Sequence, residues 1–189
     1  MITIGGKADH GFDEPLGLLS DCHRRIEWFL GAMMHVTREE EGRPLSPIGR
    51  RALEQAVAYF DTAGPRHTAD EEVDLFPRLR AASSDEAAAV MAAVDRLEDD
   101  HRAAEAAHAA VKRLASRWLE EDRLPAAEWR ALLETLESLQ RTYQAHIAVE
   151  DHHVFPAASR ILSNEQLEEV GRGMAARRGV SYAPRRAPD

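Results

Sequence analysis

HTADEEVDLFPRL at residues 67–79 and HIAVEDHHVFPAA at residues 146–158 are two copies of one unit. His, Glu, Phe and Pro coincide in the order H-x3-E-x4-F-P, at an offset of 146 − 67 = 79. Upstream, LSDCHRRIE at 19–27 aligns with LEDDHRAAE at 97–105, at an offset of 101 − 23 = 78. A two-helix unit used twice predicts a pseudo-symmetric bundle whose halves present matching histidines to one shared interior.

Outward from these copies the pattern is helical. Pro15 suits a first helical turn, and Leu16, Leu19, Ile26, Leu30 and Met33 form an amphipathic stripe. That helix fades at EEGRPLSP. A second runs from near Pro47 to about Arg80, with a kink or short break expected at Gly64-Pro65. Ser83 with Glu86 reads as a capping box for a third helix reaching about Glu120, and Pro125 opens a fourth that reaches about Ile161. Ser163-Asn164-Glu165 caps a short fifth helix. The expected fold class is all-α: an up-down-up-down four-helix bundle over residues 15–161, a leader at 1–14, and a short helix with a disordered tail at 162–189.

Composition narrows the function. A net charge of −9 disfavours nucleic acid, which needs a basic surface to displace counterions. No run approaches the ~18 apolar residues of a membrane span, so no membrane partner is expected. The single cysteine, Cys22, allows no intrachain disulfide and fits a reducing, cytoplasmic setting. Few segments are rich in β-branched residues, which again favours helices.

Spacing alone does not mark a site. Six of the nine histidines (His10, His23, His35, His67, His101 and His146) have Glu four residues later, a pairing that often forms an exposed helical ion pair. The register is more telling. His101 interrupts the stripe Val90, Val94, Leu97, Ala104, His108, Val111, Trp118, and His146 and Glu150 interrupt Leu132, Leu136, Leu139, Tyr143 and His153. His67 and Glu71 follow Phe60 and Gly64, and His23 lies between Leu19 and Ile26. His10 precedes the helix, and His35 is rotated ~120° from His23. Buried carboxylates without a cation are costly or take up protons, so four imidazoles and two carboxylates in one interior point to a pair of divalent metals.

The double H-x3-E-[ED]-x2-[LV]-F-P motif, each copy preceded by a separate His-bearing helix, resembles the hemerythrin-like, HHE-type cation-binding family. The resemblance implies an up-down bundle holding two Fe ions in an oxo- or hydroxo-bridged di-iron centre. It implies His23, His67, His101 and His146 as terminal ligands and Glu71 and Glu150 as bridges. Oxygen-carrying hemerythrins have H-x3-H where this chain has His101 and Glu105, and H-x4-D where Asp151 stands beside Glu150. The four-His, two-Glu pattern is nearest to the hemerythrin-like domain of proteins implicated in repair of iron centres. Those carry paired cysteines that this sequence lacks.

Secondary candidates are Glu27 and Glu105, one turn after His23 and His101, as further ligands, second-layer partners or solvent-facing groups. Asp151 competes with Glu150, and Tyr143 lies one turn before His146 with its hydroxyl near an open iron position or packed in the core. The expected role is binding or sensing O2, NO or peroxide, or handling iron, with a redox or iron-accepting protein as partner. A di-iron oxidoreductase consuming peroxide or NO, and a helical module with a structural metal, are the alternatives. His and Glu also suit zinc or manganese.

Overall fold

The computed structural model describes residues 10–183, and every regular element among them is helical. In chain order these are α1 (Pro15–Glu39), α2 (Pro47–Ala69), the π-helical turn π1 (Asp70–Leu75), α3 (Phe76–Ala81), α4 (Asp85–Glu121), α5 (Ala126–Val149), the π turn π2 (Glu150–Val154), α6 (Phe155–Ile161) and α7 (Asn164–Arg177). The all-α class expected from periodicity is the one observed. No helix among the described residues is long and apolar enough to cross a membrane.

The two π turns are the structural signature of the repeat. In each, the Phe N–H bonds a carbonyl five residues back: Phe76 to Glu71 and Phe155 to Glu150. The next residues, Pro77 and Pro156, have no N–H. In a continuing α-helix their rings would collide with the carbonyls of Val73 and His152, four residues earlier. The wider turn sits just before each proline, and the helix then resumes. One extra residue per turn also rotates the side chains beyond it around the helix axis. His153, expected on the ligand stripe, is exposed, and Val154 takes the buried position instead.

Two other local expectations need correction. Of the kink or short break expected at Gly64-Pro65, the break is absent; α2 continues through Pro65. Pro65 and Asp61 are both exposed, so the carbonyl that loses its N–H partner faces water. Ser84, rather than Ser83, caps α4, accepting the Ala87 N–H at 3.0 Å. Ser163 does cap the last helix, in a box completed by Gln166, and α7 extends for 14 residues. Residues 1–9 of the expected leader and 184–189 of the expected tail lie outside the described residues.

The chain divides into two compact units. The first comprises residues 10–25, 65–98 and 147–183. Its core includes Leu19, Leu75, Phe76, Leu97, Val154 and Phe155, so both repeat phenylalanines are core residues. Burying each side chain of this size contributes about 1.5–3 kcal/mol. Phe12 and α7, through Val170 and Met174, pack onto the same cluster. The second unit, Ile26–Gly64 and Asp99–His146, is built on Leu30, Met33, Leu53, Trp118, Leu132 and Leu136. Within it, Trp129 donates to the Thr37 carbonyl at 2.7 Å.

Candidate metal centre

In the first unit four side chains from three segments converge. α1 supplies His23, the end of α2 His67, and the two π turns Glu71 and Glu150. One donor atom of each lies within 4.8 Å of all the others, and the four are buried. His23 Nε2 is 3.0 Å from Glu150 Oε2 and 3.9 Å from Glu71 Oε1, and His67 Nε2 is 3.3 Å from Glu71 Oε1. Donors sharing one ion at ~2.1 Å stand roughly 3.0–3.4 Å apart, so this spacing is close to that of a coordination shell. The imidazoles meet edge to face, with centroids 5.0 Å apart, and Phe155 stacks on His23 at 5.5 Å.

The electrostatics favour a cation. Glu71 and Glu150 are both fully buried. Without a cation between them, burial first and the neighbouring Glu150 charge second hold the Glu71 carboxyl well above the usual carboxylate range. Burial draws the His23 pKa down, but the Asp151 and Glu150 carboxylates outweigh it and raise it to about 9. A proton shared among these groups offsets their charge in a cation-free chain. A divalent ion does so more completely, which makes the donor set fit a metal.

Behind the donor atoms lies a supporting layer. Asp151 faces the other ring nitrogen of His23, Nδ1, at 3.1 Å, and Ser20 Oγ donates to the same carboxylate oxygen at 2.7 Å. Those two hydrogen bonds hold the Asp151 carboxyl below its ordinary value against the opposing effect of burial. Glu150 therefore occupies the donor group while Asp151 orients the imidazole, a carboxylate–histidine arrangement common at metal ligands. Spacing could not show Ser20 in this role. It lies one turn before His23, the only hint available in the sequence.

In the second unit His101 and His146 point their Nε2 atoms at each other, 3.2 Å apart. His146 is buried and His101 half-buried. Asp100 Oδ2 lies 3.6 Å from His146 Nδ1, echoing the Asp151–His23 contact. Tyr143 is also here, its ring 6.3 Å from that of His146 and its hydroxyl 2.8 Å from His108 Nε2. Burial lowers the His108 pKa, and its Nε2 and the Tyr143 hydroxyl share one hydrogen bond.

The remaining candidates stay outside these groups. Glu27 and Glu105 are exposed, as are His35, His152 and His153. Cys22 is buried beside Arg25, and burial pushes its thiol pKa up, which fits a packing residue. His10 binds Asp21 through both its backbone N–H, at 2.9 Å, and its ring, at 3.1 Å.

Comparison with known proteins agrees with this chemistry. A family model described as the hemerythrin HHE cation binding domain matches residues 14–158. A Haemophilus influenzae protein described as uncharacterized is 27% identical over 169 residues, covering 89% of this chain and 92% of its own length.

Proposed function

The chain belongs to the hemerythrin HHE cation-binding family, and from that premise we propose that it is a non-haem di-iron protein that binds or senses O2, NO or peroxide, or handles iron. The observation that carries this reading is the fully buried pair Glu71 and Glu150 among the imidazoles of His23 and His67. By resemblance to the family, the proposed ligand set would be His23, His67, His101 and His146 with Glu71 and Glu150. The sequence repeat and the family pattern support the His101 and His146 part of that set. When bound, such a pair of irons supplies redox change and coordination positions open to a small ligand.

The protein's own groups supply the rest. Asp151 fixes the His23 ring through Nδ1, leaving Nε2 to face the carboxylates. Phe155 stacks on His23, Leu75, Phe76 and Val154 are buried in the core of the same unit, and the donors of that unit are themselves buried from bulk water. Four imidazoles against two carboxylates make a less anionic set than a carboxylate-rich cage, which favours the lower iron oxidation state. The proposed partners are a small diatomic ligand or peroxide, and a redox or iron-accepting protein. The test is the visible spectrum of reduced, iron-loaded protein before and after air, NO or peroxide. An oxidant-dependent band is expected, and a spectrum unmoved by all three would leave only a structural metal.

A second reading, a di-iron oxidoreductase consuming peroxide or NO, is favoured by one observation. Tyr143 lies beside His146 with its hydroxyl hydrogen-bonded to His108, a pair suited to passing a proton. Peroxide consumption that disappears in Tyr143→Phe would establish it, and an inert wild-type protein would remove it.

A further inference from the structure

The turn that carries Glu71 is gripped from outside by α7. Arg177 reaches both ends of π1: one guanidinium nitrogen pairs with Asp70 Oδ1, and the other donates to Asp74 Oδ2 at 2.8 Å. Arg178 adds two bonds to Asp70, at 2.7 Å to Oδ2 and 3.1 Å to Oδ1. Asp70 is completely buried and Asp74 nearly so. Close approach is possible because α7 has Gly173 at the contact, where a Cβ would overlap the Asp74 carboxylate.

A π turn is a rare interruption of an α-helix, found mostly as a single turn and often at functional sites. The planar guanidinium fork of Arg177 ties the first residue of π1 to the fifth, across the turn that includes Glu71. Asp70 also directly precedes Glu71, so its uncompensated charge would add to the carboxylates already crowded there. The second copy has no equivalent. The positions matching Asp70 and Asp74 (70 + 79 = 149; 74 + 79 = 153) are Val149 and His153.

We propose that Arg177 is a positioning residue for Glu71: by bridging Asp70 and Asp74 it steadies the turn that Phe76-Pro77 imposes on Asp70–Leu75, and it thereby sets how tightly Glu71, His23 and His67 take a divalent cation. This rests on the metal-binding reading above and adds that the first copy, unlike the second, depends on α7. Cation binding and α7 docking are then reciprocally linked: each strengthens the other by the same factor.

The test titrates the full chain with Co(II) and follows its visible absorption, comparing wild type with Arg177→Met and Arg172→Met. Arg172 is an exposed α7 residue paired with Glu168. Arg177→Met is expected to weaken Co(II) binding roughly 10–100-fold and to change the absorption band as the Glu71 carboxylate moves. Arg172→Met should match wild type. Hydrogen exchange should quicken at residues 70–76 and stay unchanged at 149–155. If Arg177→Met does not fold, Asp74→Ala removes one end of the bridge and should show a smaller change of the same kind. A folded variant that is less heat-stable but binds Co(II) with wild-type affinity and spectrum overturns the proposal. A wild-type chain that binds no Co(II) overturns the metal reading and this inference with it.

Discussion

In the first copy of the motif Glu71 is flanked by two buried carboxylates, Asp70 and Asp74, held by Arg177 at the end of α7 and Arg178 just beyond it. In the second copy the same positions are Val149 and His153, and Glu150 is followed by Asp151, which backs His23. Yet both copies make the same π turn, each closed by a Phe N–H on the Glu carbonyl. The shared Phe-Pro therefore governs the backbone locally. How firmly each glutamate is held is decided by residues far away in the chain. Duplication preserved the turn, and the two surroundings diverged.

The largest test of that contrast compares Asp70→Ala with Val149→Ala. Removing Asp70 leaves two guanidinium groups facing a buried site and should cost about 3 kcal/mol in urea unfolding. Truncating half-buried Val149 should cost about 1 kcal/mol. Equal losses would break the distinction between the copies. Next in size are Pro77→Ala and Pro156→Ala, which restore an N–H and let each turn relax toward α. With π1 bridged by Arg177, Pro77→Ala should change Co(II) affinity little, and Pro156→Ala should lower it on the order of tenfold. The reverse order would contradict the role given to α7.

A smaller effect appears in chelator-treated protein as a function of pH. His23 is raised from 6.5 to about 9, so the folded chain keeps a proton that the unfolded chain releases. The stabilisation is full below pH 6.5 and is lost as pH climbs through about 9. Glu71, raised above 4.5, acts in the same direction. Melting temperature should therefore decline across that window, and less steeply in Asp151→Asn. A rising curve would contradict the assignment. Smallest of all, the exposed Glu27→Ala and Glu105→Ala should shift stability by no more than about 0.5 kcal/mol and leave metal content intact.

Periodicity made the helices legible, and the doubled His-x3-Glu unit marked the faces on which the donors lie. The π turns were not legible, because His and Glu four residues apart share a face with or without them. Phe-Pro was visible only as a matching dipeptide; its effect depends on a carbonyl four residues earlier. That is why His153 was placed on the buried stripe. At Gly64-Pro65 the sequence suggested a break, but an exposed carbonyl tolerates the missing hydrogen bond. Asp100 and Asp151 adjoin proposed ligands in sequence, and only the fold shows that they face imidazole Nδ1 atoms. Arg177 and Arg178 lie over a hundred residues from Asp70, beyond any local pattern.

The most direct measurement is metal stoichiometry paired with thermal stability. Protein stripped by a chelator and reloaded with Fe(II) under anaerobic conditions should take up two ions per chain and melt at a higher temperature than the stripped form. His23→Ala and Glu71→Ala should each reduce both uptake and the gain in stability. A chain that takes up no iron, and melts at the same temperature with and without it, would contradict the proposed centre.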